Sequence, residues 1–481
     1  MSGSLGIKIG TAGFVTAADT AAATARGSGR YAPRPRTTRH QATLIMTQGM
    51  APTLPPLGSG ARPMRPGLAI TGFVDRVGDP IDLIAADGSA HRPENLVARA
   101  VQYLTRSSTS AFAGTPAVAA AYPSHWTTQG VRTLRRALDQ SGMSNVALVD
   151  EVGSILARVE STRGLPPDGA VVVYDLGGNG LSISVARGTE QIGRTFRSAE
   201  FGGKHIDDAI LRHVLGGLDG ELGDTDLADP ALLAPLNELR LRCRRAKEAL
   251  STETAAVIEV ELGRVRHDVR LVRCELEELI REQVVGSAGL VRETLRANEI
   301  DARDVRAVVL AGGAAATPLI TEVLSAQFHV PVIGEPEPGL TSANGAALLA
   351  RASSATTSVS VPPPAKSVLP PAKSAPTPTT APQAPEPRPG DDAVVIKRPK
   401  PVAPEATEGR EKVRSRPRKR TVLIAATIVA AIAAAIVGVV VIGGPKTEPK
   451  PAVNEQVDVP TSPAVSTPAT TQLPYPSRHV S

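Results

Sequence analysis

"VVVYDLGGNGLSIS", residues 171–184, decides the fold. Val171, Val172, Val173 and Tyr174 form a short apolar run suited to a buried strand. Asp175 ends that run, Gly177 and Gly178 give a tight turn, and alternation resumes at Leu181 as a second strand. Backbone N–H groups in such a turn can approach phosphate oxygens closely. The same pattern stands at the start of the chain, where "LGIKIGTAGFVTAAD" reads as two strands joined at a glycine turn. It returns in part in "AVVLAGGAAATPLITEVLSAQF", a strand, a glycine turn and a helix. Turns at Gly10, Gly177 and Gly312, interleaved with helical segments, predict two similar α/β lobes facing one cleft.

Between these landmarks the patterns alternate. "QATLIMTQ", residues 41–48, is predicted as a third strand, "RPENLVARAVQYL" as a helix, "AVAAAYP" as a strand and "TQGVRTLRRALDQSG" as an amphipathic helix. "VALVDEVGSILARVES" runs from strand into helix. Further on, "HIDDAILRHVL", "PALLAPLNELRLRCRRAKEALS" and "CELEELIREQVVGSAGLVRETLRANE" read as helices, with a β pair at "AAVIEVEL" and "HDVRLVR". The arginines of "RGSGRYAPRPRTTRH" read as a solvated face.

Composition changes near residue 351. The following tract, rich in Pro, Ala, Ser and Thr, holds little that could be buried to offset chain entropy, so residues 352–420 are expected to be a disordered linker. Residues 421–442, "TVLIAATIVAAIAAAIVGVVVI", carry no charge. At ~1.5 Å per residue they reach about 33 Å, enough for a hydrocarbon core of roughly 30 Å. Ten Lys and Arg lie between Lys397 and Arg420 and three follow Ile442. That asymmetry predicts a single-pass membrane protein with its large N-terminal domain in the cytoplasm and a Pro/Thr-rich tail, 443–481, outside. The formal charge of +6 with 2% aromatics is placed for a membrane surface rather than a nucleic acid. Cys243 and Cys274 have no CxxC spacing and the eight His residues do not cluster, which argues against a resident metal or a disulfide framework.

Five segments resemble the nucleotide-binding domain of the DnaK-type, heat-shock 70 chaperones, within the actin-like ATPase superfamily. "LGIKIGTA" is similar to the first phosphate loop, "VYDLGGNG" to the second, "VVLAGGAAATPLI" to the adenosine motif, "RRAKEALS" to the adenine-side helix and "LVDEVGSILA" to the connecting segment with its acidic residue. They stand in family order across residues 1–351. The resemblance implies an α/β, two-lobed actin-like fold that binds ATP or ADP. It implies nucleotide contacts from Gly10, Thr11, Ala12, Gly177, Gly178, Asn179, Gly180, Lys247, Ser251, Gly312 and Gly313. It makes Glu151 and Asp175 the catalytic acidic pair, holding Mg²⁺ when nucleotide is bound. Each residue also has a plainer reading, since glycines punctuate turns and an Asp after a strand often caps the next turn.

The sequence departs from the family where chemistry is concentrated. Lys8 replaces an Asp of the first loop, which predicts loss of metal binding and an ammonium free to neutralise a phosphate. Asn179, Gly180 and Ser182 replace a Gly, a Thr and an Asp of the second loop. Ala314 and Ala316 replace a Ser and the Arg that stacks on the base, Gly339 stands for an Asp, and Glu248 replaces an Arg between Lys247 and Ser251. The family's catalytic Lys has no clear counterpart, and no pattern of a peptide-binding sandwich or helical lid follows residue 350. Three functions are therefore expected in this order: a membrane-tethered module that binds nucleotide weakly, hydrolyses it slowly at most and acts on an unknown protein partner; a pseudo-ATPase scaffold without nucleotide; and an ATP-dependent folding chaperone.

Overall fold

The computed structural model describes residues 3–20, 35–47, 49–57, 68–223 and 226–357. Residues 352–357, expected to begin the linker, are instead the end of a helix, Thr341–Thr357; the rest of the expected linker, the apolar span 421–442 and the tail lie outside the described residues. Among the described residues no helix is long and apolar enough to cross a membrane.

Two five-stranded sheets share one design. The first holds β1 (Ser4–Lys8), β2 (Gly13–Asp19), β3 (Arg36–Gln41), β4 (Ala117–Tyr122) and β5 (Val146–Asp150) in the order β3-β2-β1-β4-β5. β1, β2 and β3 form an antiparallel meander, and β4 and β5 continue parallel to β1. The second sheet holds β6 (Ala170–Leu176), β7 (Leu181–Arg187), β8 (Glu190–Ser198), β9 (Val305–Ala311) and β10 (Val332–Gly334) in the order β8-β7-β6-β9-β10. Its pairings repeat the same polarity: antiparallel from β6 outward to β8, parallel from β6 through β9 to β10. The repetition read from the two glycine-turn hairpins is thus a repetition of whole sheets.

The third strand is a correction. Within 41–48, Gln41 ends β3 and Thr43–Met46 is a strand, but that strand pairs with Leu68–Thr71 in a separate two-stranded ribbon rather than with the first sheet. The sheet's third strand is "RTTRHQ", the end of the stretch read as a solvated loop. An edge strand whose first four residues are exposed needs no apolar alternation, so hydropathy did not mark it.

Alternate residues of each central strand face opposite layers. In the first sheet Leu5, Ile7, Val118 and Ala120 meet α1 (Pro93–Ser108) and α2 (Thr128–Gln140) through Leu96, Val101, Leu104, Leu134 and Leu138. In the second, Val172, Tyr174 and Leu176 face a larger cluster that includes α4 (Gly203–Gly217), α5 (Leu233–Ala249), α6 (Arg273–Ala297) and α7 (Pro318–Phe328). The buried Tyr174 hydroxyl is satisfied by Ser287 of α6 at 2.7 Å.

The remaining faces are covered crosswise. α3 (Glu151–Thr162) leaves the first sheet at β5 but packs Val152, Ile155, Leu156 and Val159 on Val171, Val173 and Val309 of the second. α8 (Thr341–Thr357) follows the second sheet but sets Ala346 and Ala350 against Ala119 and Ala121 of the first. Small residues allow this proximity. A Cβ on Gly6 would lie 2.0 Å from the Ala343 carbonyl oxygen, and one on Gly345 would lie 1.7 Å from that of Ser154.

Candidate functional site

Open α/β sheets place ligands beyond the carboxyl ends of their parallel strands. Here those ends belong to two sheets and face each other. Lys8 ends β1 two residues before Gly10; Asp175 stands near the end of β6 two residues before Gly177. The repeat therefore brings the corresponding positions together, and the Lys8 ammonium donates to Asp175 Oδ2 at 3.5 Å.

Glu151 arrives by helix capping. Asp150 ends β5 and accepts the Gly153 N–H at 3.1 Å, which starts α3 and leaves Glu151 in its first turn. A carboxylate there is favoured by the helix dipole. Glu151 Oε1 lies 2.8 Å from Lys8 Nζ, and all three side chains are nearly enclosed. Burial alone would lower the Lys8 value; Asp175 and Glu151 reverse that and hold the ammonium above its usual range. Burial pushes the Glu151 carboxyl up to about 7, with Lys8 opposing and Asp175 reinforcing the rise. Two carboxylates enclose a single cation, so with both ionised the trio carries surplus negative charge away from water.

These three groups line a cleft of about 360 Å³ together with Gly10, Thr11, Ala12, Gly177 and Gly178. The two glycine turns nearly touch, since a Cβ on Gly178 would lie 2.6 Å from the Ala12 methyl. The N–H groups of Gly203 and Lys204 donate to the carbonyls of Gly177 and Gly178 at 2.9 Å, fastening the second turn to the start of α4. Gly202 fits there because a Cβ would meet the Gly180 nitrogen at 2.4 Å.

Lys247, Ser251 and Gly313 also line the cleft. Asn179, Gly180 and Gly312 are not among its lining residues and serve the turns behind it. A Cβ on Gly312, where φ is 82°, would lie 2.3 Å from Asp175 Oδ1. Lys247 is already engaged: its ammonium pairs with Asp207 at 2.5 Å and donates to the Gly203 carbonyl at 2.8 Å. Asp207, His125, Arg197, Lys204 and Arg244 line the cleft without having been expected there. Only the adjacent glycines of "FGGKHID" before a helix could have marked part of this set. Burial, then Arg197, lowers His125 to about 4 against the pull of Asp175, so its ring is neutral near pH 7. Arg39, read as part of a solvated stretch, reaches across the cleft mouth to Glu337 at 2.9 Å.

The acidic pair does not fit Mg²⁺ as the resemblance implies. The ammonium already occupies the space between the carboxylates and cancels one of their two charges. At an effective dielectric constant of ~20, a divalent cation about 5 Å from an ammonium is repelled by roughly 7 kcal/mol, which offsets the attraction of one carboxylate at the same distance. Asp175 Oδ1 is buried without a hydrogen-bond partner among the described residues, but one such oxygen is a sparse donor set. No group of three His, Cys, Asp or Glu among the described residues is arranged to hold a metal. Nor is the ammonium free for a phosphate, as the sequence suggested, because both carboxylates engage it.

A family model described as Hsp70 protein matches residues 75–361, more than half of the chain. The match leaves out β1 to β3 and with them Lys8 and Gly10. A chaperone protein HscA homolog from Burkholderia mallei is 30% identical over 190 residues, covering 38% of this chain and 29% of that protein. The corresponding homolog from Bordetella pertussis is 32% identical over 187 residues, again 38% of this chain and 29% of its own length. The chain therefore matches less than a third of the length of these relatives.

Proposed function

The chain belongs to the Hsp70 family and carries that family's nucleotide-binding domain, and from that premise we propose that its cleft binds adenine nucleotide weakly and turns it over slowly or not at all. One observation carries the reading: two glycine turns, at Gly10 and Gly177, converge on one cleft at the carboxyl ends of two sheets. Such turns can present backbone donors to phosphate without the side chains this sequence lacks. Slow turnover follows from the Lys8 cluster, since phosphoryl transfer to water needs a group that orients the water. Glu151 and Asp175 are both committed to the ammonium. Ala316 has no ring or guanidinium to stack on a base, so discrimination among nucleotides should be poor. Nucleotide bound between the lobes would bias their closure and so a contact with a protein partner.

Thermal unfolding of the full chain tests the binding. A ligand at a hundred times its Kd stabilises by about 2.7 kcal/mol, so saturating ATP or ADP should raise Tm while phosphate release stays near background. An unchanged Tm, with no added amide protection at Gly10 or Gly177, would replace this reading with the scaffold.

The same proposal tethers the domain to a membrane through residues 421–442, with the basic flank on the cytoplasmic side. Protease added outside intact cells should then trim at most the tail, 443–481. Digestion of the α/β domain under those conditions would reverse the topology.

A further inference from the structure

The Lys8 cluster and the basic groups around it point to a specific form of the ligand. Arg197, at the end of β8, has one side-chain hydrogen bond among the described residues, to Ser182 Oγ at 3.4 Å. Lys204, in the first turn of α4, lines the same cleft, and its ammonium has no ion pair or hydrogen bond among the described residues. Its near neighbours are committed elsewhere: Arg240 to Asp208, Arg244 to Glu248 at 2.9 Å. Burial, then Arg240 and Arg244, lower the Lys204 value against the pull of Asp75 and Asp208. A cation held among cations favours an incoming anion. The two carboxylates that could attract a metal, by contrast, hold an ammonium of the chain itself.

We infer that this cleft takes a nucleoside polyphosphate in its metal-free form, with Lys8 standing in for a divalent ion between Glu151 and Asp175 and with Arg197 and Lys204 carrying the phosphate charge. The inference rests on the nucleotide reading above and specifies its ligand. Lys8 is part of the chain and always lies between the two carboxyl groups, so no ion has to arrive there with the nucleotide. Arginine and lysine in the cleft supply to the phosphates the neutralisation that a bound cation otherwise provides.

Calorimetric titration of the full chain with ADP and with ATP, in EDTA and in millimolar MgCl₂, separates the possibilities. The expected result is a Kd in EDTA equal to or tighter than that in Mg²⁺, because magnesium competes with the protein for the phosphates. Binding more than tenfold tighter with Mg²⁺ would overturn the metal-free form while leaving the nucleotide reading intact. Absence of binding in both buffers would overturn the nucleotide reading and this inference with it. Arg197→Gln and Lys204→Gln provide the second measurement. Each should weaken binding in EDTA about tenfold or more with the Tm of the unliganded chain unchanged. Wild-type affinity in both variants would remove these residues from the phosphate site.

Discussion

Lys8→Ala is expected to destabilise the protein by about 3–5 kcal/mol near pH 8, the usual loss when one partner of a buried ionic cluster is removed. The ammonium lies 2.8 Å from Glu151 and 3.5 Å from Asp175, and each carboxylate is about nine-tenths enclosed. Without it, two carboxylates would face each other away from water. The loss depends on pH in a definite sense. Glu151 already titrates near 7 in the folded protein, above its ordinary value of roughly 4.3. A group raised on folding contributes stability below its unfolded value and loses that contribution as pH rises through the folded one. Removing the cation takes away the group that opposes the rise at Glu151, so the variant should be least impaired near pH 5 and most impaired near pH 8. Millimolar Mg²⁺ should recover part of the loss in the variant and none in the wild type, because only the variant leaves the acidic pair open. Urea midpoints at both pH values, with and without Mg²⁺, measure this. Equal midpoints for the two proteins at pH 8 would mean that the cluster contributes nothing.

The second large effect opposes a familiar rule. Gly345 lies within α8, where Ala is intrinsically favoured by about 1 kcal/mol. Gly345→Ala should nevertheless destabilise, by about 1–3 kcal/mol or more. Its Cβ would stand 1.7 Å from the backbone carbonyl oxygen of Ser154 in α3. No side chain can rotate out of the way, so one helix must shift, and α3 carries Glu151. The control is Gly286→Ala on α6, where an added Cβ meets nothing within 4 Å; there the propensity gain should stand. A rise in Tm for both variants would show that the two central helices are looser than the contact implies.

The first and sixth strands were readable because both are buried on two faces and lead into glycine turns, and in the sixth the burial makes the apolar run continuous. The edge strands were not. β3 is "RTTRHQ", and β8 has no buried residue along its length, so neither carries the alternation that burial on one face imposes. At the site, the residues beside the glycines were legible from local order: Lys8, Glu151 and Asp175 were all singled out. Their contact was not, because it depends on superposing two halves of the chain separated by 167 positions. Arg197 and Lys204 follow no local rule; they matter only because β8 and α4 end beside the second turn. Lys247 shows the converse. It fits an adenine-side motif in sequence, but the fold spends its charge on Asp207.

The crosswise packing of α3 and α8 also sets a timetable for synthesis. β1 leaves the ribosome long before α8, yet the helix that covers its Gly6 face begins at Thr341. At about 5–20 residues per second, the intervening chain takes roughly 20–70 s to make. The alanine face of Ala119 and Ala121 waits roughly 10–45 s of that time at the same rate, and the first lobe is completed only when the far end of the second emerges.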